Sequence, residues 1–134
     1  MCMLGILVTS HGKFAEGIID SGTMIAGAQS NVEVVSLTAS GIEEFVVQLN
    51  DKLQQMSEQY SEVLILCDLK GGTPYNESFR YILTHEAAEQ MKLVAGLNLP
   101  MYLETVLASG SMAVAELAKF AVECGQANIE VLDF

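Results

Sequence analysis

"EVLILCDLKGGTPYN", residues 62–76, decides how this chain folds. From Val63 to Cys67 the stretch is apolar without a break. Alternation would mark a sheet with one wet face, whereas an unbroken apolar run marks a strand covered on both faces, the habit of parallel sheets. Asp68 ends the run, and Gly71-Gly72 permit a tight turn. Thr73 then offers a helix N-cap and Pro74 suits the first helical position. Strand, turn and helix follow one another within a single short stretch.

The same alternation extends both ways. Upstream, Met3–Thr9 is an apolar strand that runs into Thr9-Ser10-His11-Gly12, and a helix follows over Lys13–Ala28 with Phe14, Ile18 and Ile25 on one side. Asn31–Thr38 is the next strand. Ser40 with Glu43 fits a capping box for a helix reaching about Tyr60, whose Ile42, Phe45, Val46, Leu49, Leu53 and Met56 keep helical spacing. The strand of the opening stretch covers Glu62–Asp68, and its helix runs from Pro74 to about Glu86. Downstream come a strand over Met91–Leu97, a loop with a short helix in "NLPMYLETVLAS", and a longer helix over Ser111–Gly125 with Met112, Leu117, Phe120 and Ala121 inward. "IEVLDF", residues 129–134, reads as a fifth strand. This order predicts an α/β three-layer sandwich with a mainly parallel sheet, a single domain over residues 1–134 without linker, repeat or low-complexity segment.

Composition agrees and excludes several functions. The chain has 134 residues, 51% apolar and 17% charged, enough for one well-packed core. No apolar run approaches the roughly 20 residues of a membrane span, and the start lacks the basic region and cleavage site of a signal peptide. Six Lys+Arg face seventeen Asp+Glu, a formal charge of -11. That argues against nucleic acid and against anionic membrane surfaces, both of which need a basic footprint. It suits plain solubility, or steering of a basic partner. Cys2, Cys67 and Cys124 are odd in number and form no CxxC pair, as for reduced thiols in a cytosolic protein. Cys67 reads as a small core residue.

In open α/β sheets, ligands bind beyond the carboxyl ends of the strands. The reactive side chains gather at two of those ends. His11 follows the first strand; a histidine is mostly neutral near pH 7 and offers a ring nitrogen able to act as a nucleophile. Thr9 and Ser10 add hydroxyl donors, Gly12 allows close backbone approach, and the next helix N-terminus suits a phosphate. Asp68 ends the third strand. If the first and third strands are neighbours, its carboxylate lies beside His11, fixes the ring tautomer and frees the other nitrogen. A strand-end aspartate capping a turn is the plainer reading. Gly71, Gly72 and Thr73 start a helix in any case, and the same turn can present amides to an anion.

Other chemistries do not fit. His85 lies near the end of a helix and reads as a surface residue. With no HExxH and no Cys/His cluster, a catalytic metal is not expected. There is no GxxxxGK[ST] and no GxGxxG. A response-regulator receiver would use an aspartate like Asp68, but it needs acidic Mg²⁺ ligands where this chain has Thr-Ser-His-Gly.

"SHG" after the first strand, "DLKGGTPYN" after the third and "AGLNLPMYLET" after the fourth occur together in one order. In this the chain resembles the IIA components of the mannose-family sugar phosphotransferase system, over essentially its whole length. The resemblance implies that His11 accepts a phosphoryl group from the phosphocarrier HPr and passes it to a IIB component, with the membrane components IIC and IID served indirectly. It implies that Asp68 hydrogen-bonds the ring and that Thr73, with Gly71 and Gly72, cradles the phosphoryl group. No metal, nucleotide or other cofactor is implied. It also implies a cytoplasmic homodimer in which "IEVLDF" pairs antiparallel with the partner's sheet as an exchanged strand. HPr is basic around its own site, which gives the acidic charge a reason. Leu69-Lys70 stands where some mannose-specific members carry Thr-Trp. The chain stops at Phe134 without the Ala/Pro-rich linker to IIB found in some members, and so looks like a free-standing IIA. Two further readings stand behind this one: the phosphotransferase subunit of a dihydroxyacetone kinase system, and a non-catalytic regulatory module binding a small anion at the same edge.

Overall fold

The most apolar segments lie side by side at the centre of a four-stranded parallel sheet. The computed structural model describes residues 4–134; the Met3 end of the expected first strand and the Cys2 thiol lie outside them. In chain order the elements are β1 (Leu4–His11), α1 (Phe14–Ala26), β2 (Val32–Leu37), α2 (Ile42–Gln59), β3 (Glu62–Cys67), α3 (Thr73–Thr84), β4 (Met91–Ala95), α4 (Leu99–Ala108) and α5 (Val114–Ala127). The sheet order is β2-β1-β3-β4, with Leu7 opposite both Glu33 and Ile65. The chain leaves β1 towards one edge and β3 towards the other. The order therefore reverses between β1 and β3, and a crevice opens there at the carboxyl ends of the strands.

Pleating sorts the apolar residues into two cores. Ile6, Val8, Leu64 and Leu66 face α1, α4 and α5, where Ile18, Tyr102 and Leu117 meet them. Leu7, Val63 and Ile65 face α2 and α3, where Phe45, Leu49, Leu53 and Tyr81 pack. These are the three layers expected. Each such buried aliphatic side chain stabilises the fold by about 1.5–3 kcal/mol. Cys67 belongs to the buried set, and burial, then the neighbouring Asp68 charge, push its thiol up to about 12.

Four local expectations are corrected. The inward face of α1 is Ala15, Ile18 and Gly22, while Phe14 and Ile25 are exposed. The reason is Tyr102: a Cβ at Gly22 would stand 2.4 Å from its ring, so only a small-residue face fits there. The Ser40 capping box is not formed. Gly41 is the N-cap of α2 with φ of 106°, and the Ser40 amide instead donates to the Thr38 hydroxyl. Thr73 is the first residue of α3 rather than its cap, a place taken by Gly72. Residues 129–134 form no strand within the single chain.

Candidate functional site

β1 extends to His11, so the histidine is the last residue of a central strand and not part of the following turn. Its strand neighbours are buried, but pleating and the strand end leave its own side chain 45% exposed. The carboxylate of Asp68, just past β3, is 14% exposed and lies across the crevice from it. Adjacency of β1 and β3 brings the two together, as expected from the sequence.

One carboxylate oxygen holds His11 twice. Oδ2 of Asp68 accepts from the His11 backbone amide at 3.0 Å and lies 2.9 Å from ring Nδ1. Nδ1 must then carry the proton, which leaves the Nε2 lone pair free. Oδ1 of Asp68 is buried and has no partner among the described residues, so the carboxylate is committed through Oδ2. The ring lies against Gly72, where a Cβ would stand 2.8 Å from Cε1 and 3.4 Å from Nε2.

Gly72 opens α3, so the ring rests at a helix N-terminus. The Thr73 and Tyr75 amides have no acceptor among the described residues, and Pro74 has no N–H to satisfy. Those free amides and the helix dipole favour an anion there. The turn beneath them is tied in two places. The Gly72 amide donates to the Leu69 carbonyl at 3.2 Å, and the Asn76 side chain donates to the Gly71 carbonyl at 3.1 Å. Asn76 belongs to the "GGTPYN" run but had no role in the sequence reading, because a side chain reaching back five residues leaves no periodic signal.

The other expected phosphate contacts separate. Thr9 and Ser10 are fully buried. The Ser10 hydroxyl accepts from the Ala15 amide at 2.8 Å and donates to the His11 carbonyl at 3.2 Å, so it closes the β1–α1 corner. The Gly12 amide donates to the Leu37 carbonyl at 2.7 Å, and Gly12 turns the chain with φ of 58°. Ser10 and Gly12 thus build the corner, while the buried Thr9 hydroxyl has no partner among the described residues. Of the Gly71-Gly72-Thr73 turn, it is Gly72 that lies against the ring.

His85 is exposed and stacks on Tyr81 at 3.9 Å between ring centres, with Nδ1 3.0 Å from the Tyr81 carbonyl. It has no part in the site. No group of three or more His, Cys, Asp or Glu residues that could hold a metal occurs among the described residues. No helix among them is long and apolar enough to cross a membrane. A groove of about 500 Å³ lies along β2 and α2, lined by Glu16, Ser36, Thr38, Asp51 and Lys52, and His11 is not among the residues that line it. His11 itself stands on open surface. A small substrate needs enclosure, whereas a group handed from one protein to another needs access.

In sequence and fold the chain is similar to known proteins of one family. Residues 5–122 match the EIIA-man family model, described as the fructose IIA component of the phosphotransferase system. The fructose-specific EIIA component of Bacillus subtilis is 29% identical over 96% of this chain and 86% of its own length. The mannose-specific EIIAB component of Escherichia coli is 30% identical over 96% of this chain, which spans 39% of that longer protein. Among solved structures, an EIIA component from Streptococcus agalactiae superposes with a TM-score of 0.85 at 30% identity, covering 96% of this chain and 97% of its own. The mannose/sorbose-specific IIA subunit of Enterococcus faecalis gives 0.80 at 34% identity, covering all of this chain and 97% of its own.

Proposed function

The chain belongs to the mannose family of phosphotransferase-system IIA components, the phosphoryl carriers of sugar uptake, and on that premise we propose that Nε2 of His11 is the atom that carries the phosphoryl group. The observation that supports this most is the double hold of Asp68 Oδ2 on His11, which accepts from Nδ1–H and leaves Nε2 free beside the N-terminus of α3.

The transfer runs as follows. HPr arrives with its own phosphohistidine. The donor N–P bond breaks as the His11 Nε2 lone pair forms the new one, and the proton on Nδ1 stays in place. Charge spreads over the three phosphoryl oxygens in transit, so the protein's task is placement and electrostatic support. The Thr73 and Tyr75 amides and the Thr73 hydroxyl face the oxygens, and Asp68 offsets the positive charge that develops on the ring. A IIB histidine then takes the group by the reverse chemistry, and IIC and IID use it during sugar entry. The relatives carry the names of different sugars, which fits a carrier whose own step does not involve the sugar. No metal, nucleotide or other cofactor enters this step, and the carrier works in the cytoplasm, where HPr resides.

The working unit is a homodimer joined by strand exchange. Ile129, Val131, Leu132 and Phe134 are largely exposed, an apolar cost for a free end. Among the described residues the outer edge of β4 is open, beside a groove of about 420 Å³ formed by Leu93, Val94, Ala118 and Val122 with Lys119 and Glu123. An unpaired strand-like segment and an unpaired sheet edge in one chain complete each other across two copies.

The test is labelling with phosphoenolpyruvate, enzyme I and HPr. Acid-labile label should reach the wild-type protein and be absent from His11→Ala. Equal labelling of the variant overturns the assignment, and phosphate binding with no transfer to any IIB favours a regulatory anion-binding module instead.

A further inference from the structure

We infer that Gly72 is a positioning residue: the missing side chain is what lets the His11 ring lie on the first amides of α3 with its Nδ1–Asp68 bond intact. The inference rests on the reading of His11 as the phosphoryl acceptor.

The two glycines of the pair are glycine for opposite reasons. Gly71 has φ of 85°, a left-handed conformation that disfavours side chains, yet a Cβ there would meet nothing within 4 Å. Gly72 has φ of -81° and ψ of 174°, open to any residue. Its constraint is space. A Cβ would lie 2.8 Å from His11 Cε1, 3.4 Å from Nε2 and 3.5 Å from the Leu69 carbonyl oxygen. The ring is the nearest obstacle, and it is not free to yield. Nδ1 is bonded to Asp68 at 2.9 Å, and the same oxygen anchors the His11 amide at 3.0 Å. Swinging the ring away from a new methyl group breaks the bond that sets its tautomer and carries Nε2 off the helix N-terminus. Keeping the bond forces the methyl group into the ring. Gly72 thus sets the ring's resting angle, and through it the direction in which Nε2 points.

Gly72→Ala tests this with two readouts that do not depend on each other. In the unphosphorylated protein, ¹⁵N spectra of the His11 imidazole report the tautomer and its titration. Wild type should show the Nδ1–H form, and Gly72→Ala a shift away from it. In transfer assays kcat should fall on the order of 10- to 100-fold, the scale of an ångström-sized misplacement, with KM for phospho-HPr changed less than about twofold if docking is untouched. Should the ring stay and the fold suffer, the melting temperature of Gly72→Ala drops, and His11→Ala in the same chain restores it. That coupling marks a ring collision. Wild-type tautomer together with wild-type kcat in Gly72→Ala overturns the inference, and so does a melting loss that His11→Ala fails to relieve. Labelling that persists in His11→Ala removes the premise instead, and leaves the tautomer and melting results standing as facts about the ring.

Discussion

His11 is held from three sides by residues with separate tasks. Asp68 accepts from one ring nitrogen, Gly72 makes room for the other, and Ser10 ties the corner from which the ring projects. Only Asp68, which accepts from the Nδ1–H, acts through charge. Asp68→Asn keeps the size and loses the charge, so the ring is oriented less firmly and its developing positive charge goes unopposed. Phosphoryl transfer through His11 should fall about 10- to 100-fold, in line with losses of a partner that orients an imidazole, while the melting temperature stays near wild type. Unchanged phosphorylation kinetics would remove Asp68 from this role. Most of this arrangement is legible in the sequence, because a histidine, an aspartate and a Gly-Gly turn stand at strand ends. The role of Ser10 is not. A hydroxyl inside a strand reads as a ligand donor, and only the folded corner shows it spent on the Ala15 amide.

At the scale of elements, helix starts are where local pattern and structure part. Ser40 and Glu43 have capping-box spacing, but α2 begins after Gly41, whose positive φ turns the chain away from the serine. Ser40→Ala should therefore change unfolding free energy by less than about 0.5 kcal/mol, as an ordinary surface substitution does. A working cap would lose about 1 kcal/mol, and chemical denaturation separates the two outcomes. Conversely, Asn98 caps α4, accepting from the Met101 amide at 3.0 Å while its own amide donates to the Gly125 carbonyl. Periodicity finds the faces of α2 because Phe45, Leu49, Leu53 and Met56 meet an apolar sheet. It misassigns α1, where Tyr102 from a distant helix demands Gly22 and turns Phe14 and Ile25 outward.

At the scale of the whole molecule, the open question is how the sheet ends. The centre is sealed by β1 and β3, and both edge strands, β2 and β4, present one side unpaired among the described residues. If the residues from Ile129 to Phe134 complete the β4 edge of a second copy, deleting residues 129–134 should convert a dimer into a monomer or weaken it at least tenfold. Light scattering over a dilution series measures this directly, and an unaltered mass would rule out the exchanged strand. His11 sits at the carboxyl end of the central strands, so the truncated chain should keep the geometry of its site.

What the sequence determined by itself is everything set by near neighbours: the order of strands and helices, apolar runs that require cover on both faces, and glycine turns that bring a histidine and an aspartate to strand ends. These follow from backbone sterics and hydrophobic burial, which act within a few residues. Tertiary structure alone decided which strands are adjacent, that Asp68 grips His11 by its amide and its ring, and that Gly72 is small to make room for that ring. Those are contacts between groups dozens of residues apart. Their distances exist only once two cores have pressed the sheet between its helices.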